Sequence, residues 1–556
     1  MNQPINANEF DVIVVGAGPG GATAAYYLVE ESRRQGKPLS VGLLDRARFP
    51  RDKYCGDAWC APALDILEDM GVLQKIIADG VYQDTTSGGF VSPSGESYMT
   101  SEGGDAQVSK QNRTFAIKRM ICDERIARRA AEAGATLIEE ANVSGAELNA
   151  DGMWRVRLAD DREFRCRMLI AADGAASKLA RSLGVVKDAP SAAAARQYVK
   201  GGTHNFKAGG VLLFPEYVLP GYVALFRHYN DDIDLGAYII PGGAARVEDA
   251  ARIYEDKILN DPFIQRVLGP RVEFLEPVRT ASLRMGGEPR STSKQFMAVG
   301  DAAGQTDPLT GEGIHTAMIG GRLAARRVLE MFAANDGKGT FDDAAAAVYH
   351  QRWMDTFGKE FKSSALSAKM SYRYPYFLDA AAKLAERAGD SFMNEFGAIM
   401  TGVKPKSTYA RPDIALPLGW EVGKQFFKQK ILRQVAGDAA YRRRAEENPA
   451  RASSFSAVCL RDTNISAKSV QEAWAQKTRA NPAEELFEFP TDAPGARPLL
   501  ILYGSEYGYC KSAALRLAEE LAEVAIDGAP LSPRVLDLAA HTLIDWSREP
   551  LVFILC

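Results

Sequence analysis

A glycine-rich turn near the N-terminus constrains the fold of this chain more than any other feature. Three glycines follow a short apolar run with the spacing Gly16-x-Gly18-x-x-Gly21, and an Ala-rich helical stretch comes next. A second apolar run then ends at Asp45. In such a βαβ unit the glycines let the backbone approach a pyrophosphate at the helix N-terminus, and the acid accepts hydrogen bonds from a ribose. The unit predicts a dinucleotide site; the alternative is a glycine-rich turn that binds no ligand.

Three later positions decide which dinucleotide fits. Two are strand ends where a carboxylate is followed by small residues and a helix, which suits the ribityl chain of a flavin. The third is a glycine pair whose backbone N–H groups could face the flavin pyrimidine ring and stabilise negative charge in the reduced ring. Together they predict FAD as the cofactor, bound by Asp173, Gly174, Gly300, Asp301, Gly311 and Gly313.

These motifs resemble those of the geranylgeranyl reductase family, within the larger group of FAD proteins that includes the aromatic hydroxylases. The resemblance covers about residues 9–330 and includes Arg119-x-x-x-Asp123. It also includes the stretch Phe-Pro-Arg-Asp-Lys-x-Cys-Gly over residues 49–56, whose Lys-x-Cys-Gly part, ending in Cys55 and Gly56, is typical of the reductases rather than the hydroxylases. The resemblance implies the following roles: the flavin pyrophosphate near Arg119, the ribityl chain on Asp301, the isoalloxazine ring beside Cys55 and Gly56, and Arg46 next to Asp45 as a further cofactor ligand.

The substrate-facing motif of that family is only partly present. Tyr222, Phe226 and Gly236 match it, whereas its Trp, its Pro and its last Gly are replaced. The resemblance implies that these three residues face a prenyl chain. Aromatic side chains at this spacing in a strand are also typical of an ordinary hydrophobic core, and both interpretations stay open.

The activity implied by the resemblance is reduction of C=C bonds in a prenyl chain or a similar lipid. Reduced FAD would supply a hydride and the site a proton, with water excluded and the chain aligned. Cys55 is a candidate catalytic residue or an inert structural thiol. NADPH or another reductant would supply the electrons. The alternatives are an FAD monooxygenase on the same scaffold and a flavin-binding signalling or receptor protein.

The C-terminal part carries a second candidate cofactor motif. A turn between an apolar strand and a helix contains Ser505, Tyr507 and Gly508, whose hydroxyl and backbone N–H groups can hold a phosphate. This turn resembles the FMN phosphate loop of flavodoxin-like domains, which implies an electron-donating FMN in a complete domain. Too few residues follow for such a domain, so we expect a truncated chain. The order of parts is also similar to proteins of the conditioned medium factor receptor type.

The expected fold class is α/β. It combines a Rossmann-type FAD-binding domain of the glutathione reductase/p-hydroxybenzoate hydroxylase type with an inserted antiparallel β substrate domain, C-terminal helices and a partial flavodoxin-like unit. The expected boundaries are 1–80, 110–190 and 280–340 for the FAD-binding domain, 81–109 and 191–279 for the substrate domain, 341–445 for the helical region, 446–497 for a linker, and 498–556 for the flavodoxin-like unit.

Composition excludes several classes of protein. The 67 Lys and Arg residues against 71 Asp and Glu give a net charge of −4, without the basic excess of a nucleic-acid-binding protein. Seven Cys and five His in no clustered pattern argue against a structural metal site. No signal peptide and no long apolar run are found, so we expect a cytoplasmic protein.

A basic stretch with interspersed aromatic residues runs from Lys424 to Arg444. We expect a helix that packs on the core and turns a basic face to solvent. The alternative is a helix that lies on a membrane surface, which a prenyl substrate would favour.

Overall fold

The structure is a computed structural model. It describes residues 8–85, 88–100, 112–200, 203–240, 249–334, 341–374, 376–451, 459–462, 464–477, 487–488, 497–503, 509–522, 524–526, 529–537 and 552–555.

The strands, in chain order, are β1 Glu9–Val15, β2 Val41–Leu44, β3 Ala58–Cys60, β4 Gln83–Asp84, β5 Gly88–Val91, β6 Ser97–Met99, β7 Thr114–Ala116, β8 Thr136–Ile138, β9 Val143–Leu148, β10 Trp154–Leu158, β11 Glu163–Ala171, β12 Ala192–Val199, β13 Gly210–Leu213, β14 Gly221–Arg227, β15 Ile233–Ile239, β16 Arg279–Leu283, β17 Thr292–Ser293, β18 Phe296–Ala298, β19 Phe487–Glu488, β20 Arg497–Tyr503, β21 Ala525–Ile526, β22 Ala529–Asp537 and β23 Val552–Leu555.

The α-helices are α1 Pro19–Arg34, α2 Ala61–Asp69, α3 Val72–Ala78, α4 Arg119–Ala133, α5 Lys178–Ser182, α6 Ala250–Ile253, α7 Pro262–Leu268, α8 Ile314–Ala334, α9 Asp343–Trp353, α10 Lys359–Arg373, α11 Tyr376–Ala388, α12 Asp390–Met400, α13 Pro412–Arg451, α14 Ala467–Lys477 and α15 Tyr509–Ala522. Short π-helical segments occur at Tyr254–Ile258 and Met354–Gly358, and 3₁₀ segments at Gly300–Ala303 and Lys406–Ala410.

The first sheet carries the glycine-rich turn. Its main path is β17-β18-β11-β1-β2-β8, and β1 runs parallel to both β11 and β2. Its central strands are buried on both faces, which explains why β1 and β2 are almost entirely apolar. Helix α1 packs closely on α8, and glycines allow the close approach: a Cβ on Gly321 would lie only 2.2 Å from the carbonyl oxygen of Gly20.

The second sheet holds the predicted substrate residues. Its order is β16-β12-β15-β14-β13-β5-β6, and its pairs are antiparallel except for β13 with β5. Strands β12 to β15 lie between β11 and β18 in the chain, so this sheet is an insertion into the first. Helices α10 to α12 supply the other wall of a shared core in which Phe90 and Phe214 cluster with Leu378 and Ala382. The predicted α/β fold class is confirmed.

The stretch that was predicted to be a linker is partly folded. Helix α13 continues to Arg451, and α14 lies inside the predicted linker range. Trp474 of α14 is buried, donates a hydrogen bond to the carbonyl oxygen of Gly269 at 3.0 Å, and packs edge-on against Phe274. The prediction was wrong for this part, because Trp474 and Val470 of α14, together with Cys459 and Leu460, bury apolar side chains in the core of the second sheet.

The C-terminal strands form a separate sheet. Strand β20 lies between β22 and β23 and is parallel to both, and α15 packs on one face through Ala514 and Ala518. The candidate FMN phosphate residues Ser505, Tyr507 and Gly508 lie outside the described residues. Within the described part of the chain, no helix combines the length and apolar character needed to cross a bilayer.

Candidate active site

The glycine-rich turn between β1 and α1 is tight in the way the spacing predicts. Gly16 has a φ of +100°, and a Cβ there would lie 2.2 Å from the carbonyl oxygen of Ala172. A Cβ on Gly21 would lie 1.9 Å from the carbonyl oxygen of Gly16, so the turn tolerates no side chain at either position. Gly18 precedes α1 without a side-chain cap, which leaves the first backbone N–H groups of the helix open to an anion.

Asp45 is held in place at the end of β2. Its Oδ2 accepts the backbone N–H of Ala17 at 2.9 Å, and its Oδ1 accepts that of Ala47 at 3.0 Å. The guanidinium of Arg51 pairs with the same carboxylate at 3.1 Å. Arg51 belongs to the segment that carries the family resemblance, but it was not predicted as a site residue. Arg46 lines the same cavity as Asp45.

The predicted pyrophosphate ligand Arg119 belongs to a buried ion-pair network. Its Nε and Nη2 donate to Asp123 at 2.7 and 2.8 Å, and Arg51 donates to Asp123 from the other side at 3.0 Å. The Cys55 thiol interacts with the same guanidinium, while burial raises the pKa of Cys55. Cys55 is therefore a neutral thiol at physiological pH.

A second buried network fixes the turn that follows Cys55 and Gly56. Asp57 has a φ of 54°, accepts the Arg119 backbone N–H at 3.3 Å, and accepts the Tyr198 hydroxyl. The His228 ring lies 3.4 Å from the Asp57 carboxylate, and burial lowers the pKa of His228 to about 3. We infer that this network positions the Cys-Gly turn rather than reacting itself.

The two carboxylates predicted at strand ends, Asp173 and Asp301, line the same cavity as the glycine-rich turn. Asp173 follows β11, its Oδ1 has no hydrogen-bond partner among the described residues, and burial raises its pKa. Asp301 lies in the 3₁₀ segment after β18 and accepts the Thr306 hydroxyl at 2.9 Å. Gly174 and Gly300 have φ values of +87° and +66°, which glycine adopts without strain.

The loop that precedes α8 forms another wall of this cavity. Gly311 has a φ of +69°, and a Cβ there would lie 2.9 Å from the Tyr238 ring. Tyr222 packs beside Tyr238 with ring centroids 5.4 Å apart and donates a hydrogen bond to the carbonyl oxygen of Thr310. A Cβ on Gly313 would lie 2.8 Å from the Thr306 hydroxyl oxygen, so both glycines of the predicted pair are sterically required.

All of these elements surround one cavity of about 1380 Å³. The predicted residues that line it are Gly16, Gly18, Asp45, Arg46, Cys55, Gly56, Arg119, Asp173, Gly174, Tyr222, Phe226, Gly236, Gly300, Asp301, Gly311 and Gly313. Gly21 does not line it and serves helix–strand packing instead. The predicted flavin-ring residues and the predicted prenyl-facing residues meet inside the cavity. A Cβ on Gly56, from the first group, would lie 3.5 Å from the ring of Phe226, from the second.

The cavity extends from the glycine-rich turn into an apolar arm between the second sheet and the C-terminal helices. Sequence reasoning did not identify this arm. Its lining includes Leu212, Phe214, Leu309, Leu366, Met370, Tyr372, Phe377, Leu378, Ala381, Met393, Phe396, Met400 and Leu418.

Three further lining residues form a polar cluster that the sequence did not single out. Cys60 Sγ lies 3.3 Å from His315 Nδ1, and Glu312 Oε2 lies 3.8 Å from the same nitrogen. Burial raises the pKa of Glu312 to about 7 and lowers that of His315 to about 4. Glu312 can therefore hold a proton at neutral pH, beside a neutral imidazole.

The geometry fits FAD. A pyrophosphate requires a side-chain-free turn at an open helix N-terminus, and Gly16 and Gly18 provide it. Asp45 at the end of β2 is placed to accept ribose hydroxyls, and the unpartnered oxygen of Asp173 offers a further acceptor. The fold and the site thus define a protein with a dinucleotide-binding domain and a large, partly apolar cavity beside it.

Comparisons with known proteins agree with this class. Residues 9–199 match the model of the FAD binding domain. The chain is 39% identical over 430 residues to conditioned medium factor receptor 1 of Dictyostelium discoideum, covering 76% of this chain and 82% of that protein. It is 29% identical over 384 residues to digeranylgeranylglycerophospholipid reductase 1 of Methanopyrus kandleri (65% and 90% covered) and 28% identical over 408 residues to menaquinone reductase of Mycobacterium tuberculosis (68% and 88% covered).

A solved structure supports the fold. A geranylgeranyl bacteriochlorophyll reductase-like protein from Thermoplasma acidophilum superposes with a TM-score of 0.54 at 18% identity, covering 76% of this chain and 99% of that one. The chain belongs to a family of FAD-dependent oxidoreductases that includes conditioned medium factor receptor 1 and has geranylgeranyl reductases among its relatives.

Proposed function

We propose that this protein uses FAD to reduce C=C bonds in a prenyl chain or a similar lipid. The observation that carries the proposal is the apolar arm, which opens directly from the space bounded by Cys55, Gly56 and Phe226. A long apolar chain threaded through this arm would lose its contact with water and bring one segment beside the isoalloxazine ring. The names of the prenyl-lipid and menaquinone reductase relatives support the same substrate class.

Reduced FAD supplies the hydride for this chemistry when it is bound. The protein itself must bind the cofactor, align the substrate and donate a proton. Asp45, Arg119 and Asp301 would hold the cofactor, and the aromatic rings of Tyr222 and Phe226 would align the prenyl chain. The reduction also needs a proton on the second carbon, and we assign its donation to the Glu312 carboxyl group.

The electrons would come from NADPH or another reductant. An FMN held by a complete flavodoxin-like domain would be one route for their delivery. The proposal requires only that FAD in the cavity can be reduced from outside.

The test is an anaerobic half-reaction. The FAD-loaded protein is reduced with dithionite, and reoxidation is followed after addition of geranylgeranyl diphosphate or a geranylgeranyl lipid. Reoxidation without oxygen, with a product heavier by two hydrogens per bond, is expected. A flavin that stays reduced until oxygen is admitted would instead favour a monooxygenase, and one that turns over nothing would favour a signalling protein.

A variant of the apolar arm links this activity to the cavity. A Cβ on Gly397 of α12 meets nothing within 4 Å, and Gly397 lines the cavity, so Gly397→Leu should place an apolar side chain in the arm. Reoxidation by a long prenyl substrate should slow while FAD binding is unchanged. Gly419→Leu is the matched control, because Gly419 is also helical and open to a Cβ but does not line the cavity.

A further inference from the structure

Over residues 420–431, helix α13 buries polar side chains and exposes large apolar ones, although Ile414 nearer its N-terminus is buried. The face that packs on the rest of the protein carries the buried polar residues Glu421, Gln425 and Gln429. Ordinary amphipathic helices bury apolar side chains and leave such residues in solvent. The sequence-based expectation was a helix packed on the core with a solvated basic face; Lys424, Lys428 and Lys430 are exposed, and the packed face carries polar residues in addition.

The buried polar side chains are satisfied by specific partners. Gln429 donates to Asp379, which also accepts the hydroxyls of Ser92 and Ser94 at 2.6 Å. Because buried polar groups are costly without partners, this network fixes the rotational setting of α13 about its own axis. The same network therefore determines that the opposite face of α13 points to solvent.

That opposite face is apolar. Leu416, Trp420, Phe427 and Ile431 are 72%, 69%, 64% and 58% exposed. At about 100° per residue, these four positions fall within a stripe of about 60° on the helix surface. We call them the apolar stripe of α13. Exposed apolar patches of this kind mark interaction surfaces.

Lysines border the stripe. Lys424 lies over the Trp420 ring at 5.4 Å, and Lys430 lies over the Phe426 ring at 5.8 Å. Lys424 is also 3.7 Å from Glu421, at the edge of the buried network. Long cationic side chains that lie along apolar rings with their charges outward are typical of helices at the boundary of lipid headgroups and acyl chains.

Helix α13 also contributes to the cavity, but through the face opposite the stripe. Leu418, on the same helix, lines the apolar arm. Leu366 and Met370 of α10 also line the arm, although they belong to the large apolar residues that stay exposed. The arm therefore reaches the surface beside these exposed residues of α10.

We propose that the apolar stripe of α13 docks the protein on a bilayer that contains anionic lipids. The helix would lie in the plane of the membrane with Trp420 and Phe427 among the acyl chains and Lys424 and Lys430 at the phosphates. The choice of a lipid surface rests on the proposed function, because a prenyl lipid could then enter the arm without crossing water. The lysine border selects this partner over an apolar protein face.

The test uses the full chain, FAD and vesicles without any prenyl substrate. Vesicles of phosphatidylcholine mixed with phosphatidylglycerol should pull the protein down on centrifugation, and pure phosphatidylcholine should do so more weakly. Trp420→Ser combined with Phe427→Ser should lower partition by more than about tenfold. Lys424→Gln combined with Lys430→Gln should remove the preference for anionic vesicles, by about fivefold for each lysine. Ile77→Ser is the control, because Ile77 is exposed on α3 of the FAD-binding domain.

Fluorescence locates the contact. Trp420 is exposed, whereas Trp59, Trp154, Trp353 and Trp474 are buried, so a blue shift on vesicle addition that disappears in Trp420→Phe places the contact at the stripe. Unchanged partition of the Ser variants would overturn the inference. So would a concentration-dependent dimer in lipid-free solution that the same substitutions dissociate, because a second copy would then cover the stripe. Vesicle binding needs no turnover, so either proposal can fail while the other stands.

Discussion

Replacing Glu312 by Gln tests the proposed proton donor. Burial raises the pKa of Glu312 to about 7, so about half of the molecules carry the acid at neutral pH. The protonated form is the donor and is lost as pH rises through the pKa. The rate of the half-reaction should therefore be highest below pH 7 and fall about tenfold per unit well above it.

Glutamine keeps the size of the side chain but cannot release a proton. General acid catalysis contributes about 10²–10⁴-fold, so Glu312→Gln should slow the half-reaction by that factor, or roughly 3–5 kcal/mol, and flatten its pH dependence. The assay is anaerobic reoxidation of dithionite-reduced FAD by a prenyl substrate, with FAD affinity measured separately.

Glu288→Gln is the matched control. Glu288 is mostly buried and pairs with Arg284, but it does not line the cavity. The Glu288→Gln variant should keep both the half-reaction rate and the pH profile of the parent protein. A Glu312→Gln variant that binds FAD and retains the parent rate and profile would refute the assignment.

Three further outcomes test other parts of the structure. Gly311→Ala should weaken FAD binding by about 5-fold to 150-fold, at a cost of about 1–3 kcal/mol, because the new Cβ would lie 2.9 Å from the Tyr238 ring at a φ of +69°. Equilibrium titration of the apoprotein with FAD measures the affinity, and an unchanged value would contradict the steric argument. Asp45→Asn should also weaken FAD binding, since the amide cannot replace both carboxylate acceptors, with circular dichroism to verify the fold. Trp474→Ala should lower the free energy of unfolding in urea by about 3–5 kcal/mol, because Trp474 packs in the core of the second sheet. An unchanged free energy would mean that α14 contributes nothing to that core.

The sequence could predict which residues surround the glycine-rich end of the cavity, because that end depends on local geometry. Gly16, Asp45 and Gly311 occupy positions where a tight turn or a strand end dictates the residue type, and such constraints are visible in the spacing alone. The same holds for the inserted antiparallel sheet, whose alternating pattern is a local signal.

The missed features depend on contacts between distant segments. Cys60 and Glu312 come together only through packing of β3 against α8, and no spacing rule connects them. The apolar arm combines residues from the second sheet and four helices, so no single segment reveals it. The orientation of α13 is set by Gln429 on Asp379, which composition cannot show. The Arg51 partner of Asp45 could have been inferred, since it lies inside a segment already singled out.

The insertion of one sheet into another affects how the protein can be synthesised. Val15 pairs with Ala171, and Ala171 in turn pairs with Ala298, so the sheet beneath the glycine-rich turn is complete only when the chain has reached β18. At roughly 5–20 residues per second, the ribosome needs on the order of 15–60 s to add that length. During this interval β1 and β2 expose apolar surface that the finished protein buries. The strands around the glycine-rich turn are therefore among the first parts to be translated, yet their sheet can close only after more than half of the chain has been made.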